Sequence, residues 1–109
     1  MTIGNYTLLA ATTSAVASSS FQLTHASENQ QATIQVVGLA TTEKAYLQIE
    51  NVLSLTNFVN VKINGSDVYC DVSNNVIYVS GNGRYRINKD STAGAVGVAI
   101  TSDKEYNVY

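Results

Sequence analysis

The sequence predicts an all-β fold: a single antiparallel β-sandwich domain over residues 1–109, Ig-like or jelly-roll-like. Three observations carry this. Runs of β-branched and aromatic residues alternate with polar ones at period two, which places one set of side chains on each face of a strand. Gly, Asn and Ser clusters separate the runs at about 8–12 residue spacing, as in sandwiches and barrels. No segment carries a convincing apolar stripe of helical period, and the chain has no proline to remove an N–H from a ladder.

Taken in order, residues 6–11 (YTLLAA) are a first strand. Residues 16–24 are a second, ending in alternation that puts Phe21 and Leu23 on one face. Residues 25–31 form a polar loop, and its His25 has no second histidine to join as ligand or base. Residues 32–40 (ATIQVVGLA) are a strong strand with Ile34 and Val36 sharing a face. Gly38 marks a bulge or a close backbone approach. After a turn at 41–44, residues 45–50 (AYLQIE) set Leu47 and Ile49 against Tyr46 and Gln48. Ala, Leu, Gln and Glu also permit a short helix there.

Residues 51–57 are ambiguous. Residues 58–63 (FVNVKI) and 67–72 (DVYCDV) flank Asn64-Gly65, the strongest hairpin signal in the chain, because both turn positions require positive φ. Val59, Val61 and Ile63 share one face of that hairpin, and Val68, Cys70 and Val72 another. Residues 76–79 and 84–87 follow across Gly81-Asn82-Gly83, so that 58–87 reads as a meander of four strands, with Val79, Tyr85 and Ile87 inward. Arg84 and Arg86 lie on the face opposite Tyr85 and Ile87. A small-residue strand at 95–101 turns Val98 and Ile100 to the core. Asp103-Lys104-Glu105 reads as exposed, and residues 106–109 as a last strand or a tail.

Composition narrows the function. The chain is long enough for one domain and one core. Charged residues make up 13%, about half the usual share, while hydrophobic content is 45%. Such a surface suits contact with other protein, since hydroxyls and amides cost less to desolvate than ions. The net charge of −2 and six scattered Lys and Arg leave no basic patch for nucleic acid. No apolar run is long enough to span a bilayer. The first twenty residues faintly resemble a signal peptide around Ala15-Val16-Ala17 but lack its positive start, so no cleavage is expected. The acceptor patterns Asn5-Tyr6-Thr7 and Asn64-Gly65-Ser66 are common by chance in so Asn- and Ser-rich a chain.

No catalytic constellation appears. Cys70, alone in the chain, cannot form an internal disulfide and groups with Val68 and Val72 as a small buried residue. Gly81-Asn82-Gly83 lacks the third glycine and the following helix of a phosphate loop. Asp67, Asp71, Asp90 and Asp103 are not clustered as calcium ligands, and no serine sits in a nucleophile elbow. Seven tyrosines without a tryptophan fit strand packing better than a sugar platform. No cofactor, no metal and no enzymatic activity are expected.

The stretch 32–101 resembles the small β-sandwich structural proteins of tailed-bacteriophage virions. The resemblance rests on Asn64-Gly65-Ser66-Asp67, on Gly83-Arg84-Tyr85-Arg86-Ile87, and on the small-residue run from Ala93 to Ile100; it covers about two-thirds of the chain. A tryptophan frequent on the strand after the turn is absent here, and Tyr69 stands nearest to its place. The resemblance implies a non-enzymatic virion structural protein at the particle surface, foremost a capsid decoration (cement) subunit. Such a subunit binds the major capsid protein or other virion subunits, as a homo-oligomer on the particle, with no nucleic acid and no membrane. A carbohydrate-binding or receptor-binding module, and a tail-tube or adaptor component, are the alternatives. Arg84, Arg86, Tyr106 and Tyr109 are the interface candidates, the tyrosines because an apolar chain end is expected to dock on the domain's own sheet edge or on a neighbouring subunit.

Overall fold

The computed structural model describes residues 2–23, 31–51, 53 and 57–109. His25 and most of the ambiguous 51–57 stretch lie outside the described residues. The strands are β1 (Thr2–Thr12), β2 (Val16–Ala17), β3 (Phe21–Leu23), β4 (Gln31–Val37), β5 (Ala45–Glu50), β6 (Phe58–Asn60), β7 (Lys62–Ile63), β8 (Ser66–Asp67), β9 (Tyr69–Cys70), β10 (Val76–Ser80), β11 (Gly83–Lys89) and β12 (Val96–Val108). All pairings are antiparallel. Ten strands make one strongly curled sheet, a half-barrel, and β7 and β8 form a separate small hairpin. Residues 45–50 are strand, not helix.

The strand β12 is the hub. Its first half lies between β4 and β1, pairing Ile100 with Ile34 on one side and with Tyr6 on the other. Its end pairs with β3 through Asn107 and Val108. From there the sheet continues through β3, β11, β5 and β6. Period two persists along all of β12. Val96, Val98, Ile100, Ser102 and Tyr106 are buried in turn, while Ala99, Thr101, Asp103 and Glu105 face out. The expected strand at 95–101 therefore extends well past the charged triplet.

The core lies inside the curl. Phe21, Leu23, Ile34, Val36, Leu47, Cys70, Val79, Tyr85, Ile87, Val98 and Ile100 are buried as expected, and Phe21 stacks on Tyr85 at 5.7 Å between ring centroids. Ile49, Val61 and Val68 are half-buried against this cluster. Ile63 is a correction: it is 62% exposed. The expected strand 58–63 ends at Asn60, and the chain leaves the sheet there. At the departure point Leu47 of β5 takes a hydrogen bond from the Val61 N–H and gives one to the Val68 carbonyl, both 2.9 Å. Beyond it the hairpin stands clear of the core, so alternation within it has no buried side to choose.

The four-strand meander is also corrected. β10 pairs with β4, not with β9 or β11, and β11 pairs with β5, β3 and β2. Both pairings join residues far apart in sequence, which local pattern does not encode.

One break in the expected second strand has a chemical cause. Between β2 and β3, the Ser18 hydroxyl takes the place of a ladder carbonyl and accepts the Ile87 N–H at 3.0 Å, while the Ser18 N–H donates to the Ile87 carbonyl at 2.8 Å. The adjacent Ser19 N–H turns instead to the Leu8 carbonyl, 3.0 Å away, and ties the break to β1.

The Asn64-Gly65 turn is as expected, but the ladder it closes is shorter than a hairpin of 58–63 with 67–72: Lys62 and Ile63 pair with Asp67 and Ser66, while β6 and β9 pair with β5 instead. Both residues have positive φ, 53° and 81°, and the turn joins Ile63 to Ser66. A Cβ at Gly65 would meet nothing within 4 Å, so substitution there costs conformation rather than space. Gly65→Val is expected to destabilise by about 1 kcal/mol or more, because a β-branched residue resists positive φ. The check is a lower urea midpoint at unchanged slope; an unmoved midpoint would show the turn to be indifferent to its sequence.

Candidate functional site

Two outward faces of the sheet differ sharply in chemistry. The first covers β3, β11, β5 and β6, with the small hairpin beside it. Arg84 and Arg86 both project here, opposite buried Tyr85 and Ile87. The Arg86 Nε donates to Gln48 Oε1 at 2.8 Å. Gln48 Nε2 passes the chain to Asn60 Oδ1 at 3.0 Å, and Asn60 reaches Asp67, which Lys62 holds at 2.7 Å. The Lys62 hydrogen bond keeps the Asp67 carboxyl below its ordinary pKa. Arg84 meets Glu50 at 3.4 Å. Each guanidinium also lies over an aromatic ring: Arg84 on Tyr109 at 3.8 Å, Arg86 on Phe58 at 4.2 Å. A planar guanidinium suits this double use of edge and face.

The chain end belongs to the same face. The Tyr109 N–H donates to the Ser20 carbonyl at 2.8 Å, and its hydroxyl lies 2.6 Å from Gln22 Oε1. Tyr106 takes no part in that surface. It is 1% exposed, and its hydroxyl donates to the Gly4 carbonyl at 2.8 Å. Burial raises its phenol pKa, with the nearby Tyr6 adding to the effect. Of the two destinations expected for the tail, the structure shows the domain's own sheet. Arg84, Arg86 and Tyr109 thus come together as surface residues, and Tyr106 is a core residue.

The second face covers β10, β4, β12 and β1. Register aligns two rows across it: Tyr78, Thr33, Thr101 and Asn5, then Val76, Gln35, Ala99 and Thr7. Neither row holds a charge, and β1, β4 and β10 contain no Asp, Glu, Lys or Arg. Tyr78 is 68% exposed and Val37, at the end of β4, 58%. The small Ala99 leaves a shallow hollow of about 270 Å³ between Thr33, Gln35, Asn5 and Thr101. Asp103 stands beyond the rows at the border. Sequence reasoning did not single this face out. Its signal was the polar half of the alternation in 31–37 and 97–101, which is uncharged throughout.

A third feature is a polar hollow of about 360 Å³, lined by Thr42, Glu43, Lys44, Tyr46, Asp90, Ser91 and Thr92. Its carboxylate is structural. Glu43 accepts the N–H groups of Ala40 and Ala93, each at 2.8 Å, and these bonds hold its pKa below the ordinary value. It so clips the turn after β4 to the loop before β12. Beside it, buried Lys89 gives its ammonium to the Ser14 carbonyl at 2.6 Å and to Thr92 and Asp90 at longer range. Cys70 is buried, and desolvation with the adjacent Asp71 charge pushes its thiol up to about 12. Among the described residues no three His, Cys, Asp or Glu side chains gather as metal ligands, and no helix is long and apolar enough to cross a membrane.

Comparison with protein-family models, curated proteins and solved structures finds no match to this chain.

Proposed function

We propose that this chain is a non-enzymatic structural protein of a phage virion, a decoration (cement) subunit that adheres to the head shell through its uncharged sheet face. We further read the curl as the two layers of an Ig-like or jelly-roll-like sandwich joined by β12, the architecture the resemblance implies. The observation that supports the reading is the pair of cross-strand rows without a charge. A decoration subunit works by burying area, and specific interfaces bury about 1,200–2,000 Å² in total. Threonine, glutamine and alanine lose little on leaving water compared with ions, and their hydroxyls and amides find partners at an interface. A regular sheet also loses little conformational freedom on docking. Many copies on one lattice then multiply modest contacts.

Residues elsewhere fit the same use. The arginines are committed to intramolecular partners, which leaves the opposite face for adhesion. The carbohydrate-binding alternative ranks below, since the polar hollow has one aromatic in its lining, Tyr46, and its Glu43 is spent on backbone.

The test is co-sedimentation with shells assembled from the major capsid protein of the same genome. The wild-type chain is expected to pellet with shells, and Thr101→Glu, which places a charge mid-face, to lose at least tenfold in affinity. Arg84→Lys with Arg86→Lys should bind as wild type. No co-sedimentation, with retention on assembled tail tubes or on a glycan array instead, would move the protein to one of the other two classes.

A further inference from the structure

We infer that β10 is a docking edge for a second copy of this chain, which adds its own β10 antiparallel and continues the sheet across a twofold axis. The inference stands on the strand geometry and does not rest on the proposed virion role.

Among the described residues, β10 has β4 as its one strand partner. Its sequence, Val76-Ile77-Tyr78-Val79-Ser80, carries none of the devices that blunt an exposed edge: no lysine, no proline, no inward charge, and an unbroken register with β4. The hydrogen-bond parity is set by the Val36 N–H, which donates to the Asn75 carbonyl at 2.9 Å. Opposed residues in an antiparallel ladder alternate between bonded and non-bonded pairs. Ile77 and Val79 therefore bond to β4, and Val76, Tyr78 and Ser80 direct their N–H and carbonyl groups away from it.

Those three residues are self-complementary. A twofold axis through Tyr78 sets Tyr78 against its own copy and Val76 against Ser80. Every outward group then meets an outward group. The Ser80 carbonyl already accepts the Tyr85 hydroxyl at 3.3 Å, so the better bonds are the mutual Tyr78 pair and those from the Ser80 N–H to the Val76 carbonyl. A shift by one residue would oppose outward groups to Ile77 and Val79, whose groups are spent on β4. Side chains agree with the backbone. Ile77 and Val79, buried in the single chain, would meet their copies on the inner face. Tyr78, 68% exposed, would pack on its copy and join two uncharged faces into one. The absence of charge leaves no like-charge repulsion across the axis, which selects a second copy over a charged partner.

The test uses the full chain. Tyr78→Cys puts a thiol on the axis, where bonded antiparallel pairs hold Cα atoms about 5.5 Å apart, within disulfide reach. Under mild oxidation it is expected to form a covalent dimer at least tenfold faster than Thr101→Cys, which sits exposed in the middle of the face. In sedimentation the wild type should shift toward dimer as concentration rises through ~1 µM to ~1 mM. Tyr78→Pro removes an outward N–H that β4 does not use, and should stay monomeric with an unchanged far-ultraviolet spectrum. Should Tyr78→Pro misfold, the cysteine pair still decides. If Thr101→Cys cross-links as fast as Tyr78→Cys, copies stack by their faces or collide at random, and the edge pairing is overturned. A wild type that stays monomeric through ~1 mM, with no cross-link from Tyr78→Cys, overturns it as well.

Discussion

Deleting residues 106–109 is expected to leave the protein largely unfolded, or to lower its melting temperature by about 15 °C or more. The reason lies in what the short tail carries. Tyr106 is 1% exposed and fills the inside of the curl; removal of a buried large aromatic typically costs about 3–5 kcal/mol. Among the described residues, Asn107 and Val108 make the pairing between β12 and β3, and so join the β1-β12-β4-β10 limb to the β3-β11-β5-β6 limb. The Tyr109 N–H caps that pairing at Ser20. A domain of this size holds only about 5–15 kcal/mol in total. Point variants separate the contributions. Tyr106→Phe keeps the ring and removes the bond to Gly4, so about 1 kcal/mol is expected. Tyr106→Ala should lose most of what the deletion loses. Tyr109→Ala should cost under about 1 kcal/mol, because that residue is 53% exposed and its ring holds surface partners. A truncated chain that melts within a few degrees of the intact one would show that the two limbs do not need β12 to join them.

The tail also shows where sequence reading stops. Alternation placed β4, β5, β10, β11 and the first half of β12, because each has one buried side and period two records it. Residues 102–108 keep the same period, but Ser102, Asp103, Lys104 and Glu105 hide it from any scale that asks only for apolar residues. Ile63 fails for the opposite reason. Its alternation with Val61 is regular, yet the chain has left the sheet, and no local pattern marks that point; the mark is tertiary, in the Val61 and Val68 bonds to Leu47. The meander failed because pairing is a choice of neighbours. Val76–Ser80 and Gln31–Val37 are separated by β5 to β9, and nothing in either strand names the other. Arg84 and Arg86 were legible as a face by parity alone, whereas their partners Glu50, Gln48, Phe58 and Tyr109 come from two other strands and the chain end. The uncharged rows were the least visible feature, since each of four strands contributes only two residues to them.

Gly38 makes the second large prediction, and its position after β4 was one where sequence suggested a close approach. It has φ of +108°, and a Cβ built there would lie 2.4 Å from the Ala95 carbonyl oxygen. That contact is with backbone, so no side chain can swing aside. Neither neighbour is free to move. Val36 and Val37 hold β4 in register with Val98 and Gly97, and Val96, directly after Ala95, is fully buried. Relief of the clash must pry β4 from β12, the strand on which both limbs depend. Gly38→Ala is therefore expected to destabilise by about 3 kcal/mol or more, from a backbone conformation that costs an L-residue about 1–3 kcal/mol plus the steric term. Gly38→Val should not fold. Gly94→Ala, nearby, is the internal control: a Cβ there meets nothing within 4 Å and its φ is unremarkable, so the change should be neutral or slightly stabilising. Urea unfolding of the two alanine variants measures the difference directly. If Gly38→Ala and Gly94→Ala unfolded at the same midpoint, the backbones of β4 and β12 would have room to part at this end, and the hub would be looser than its packing implies.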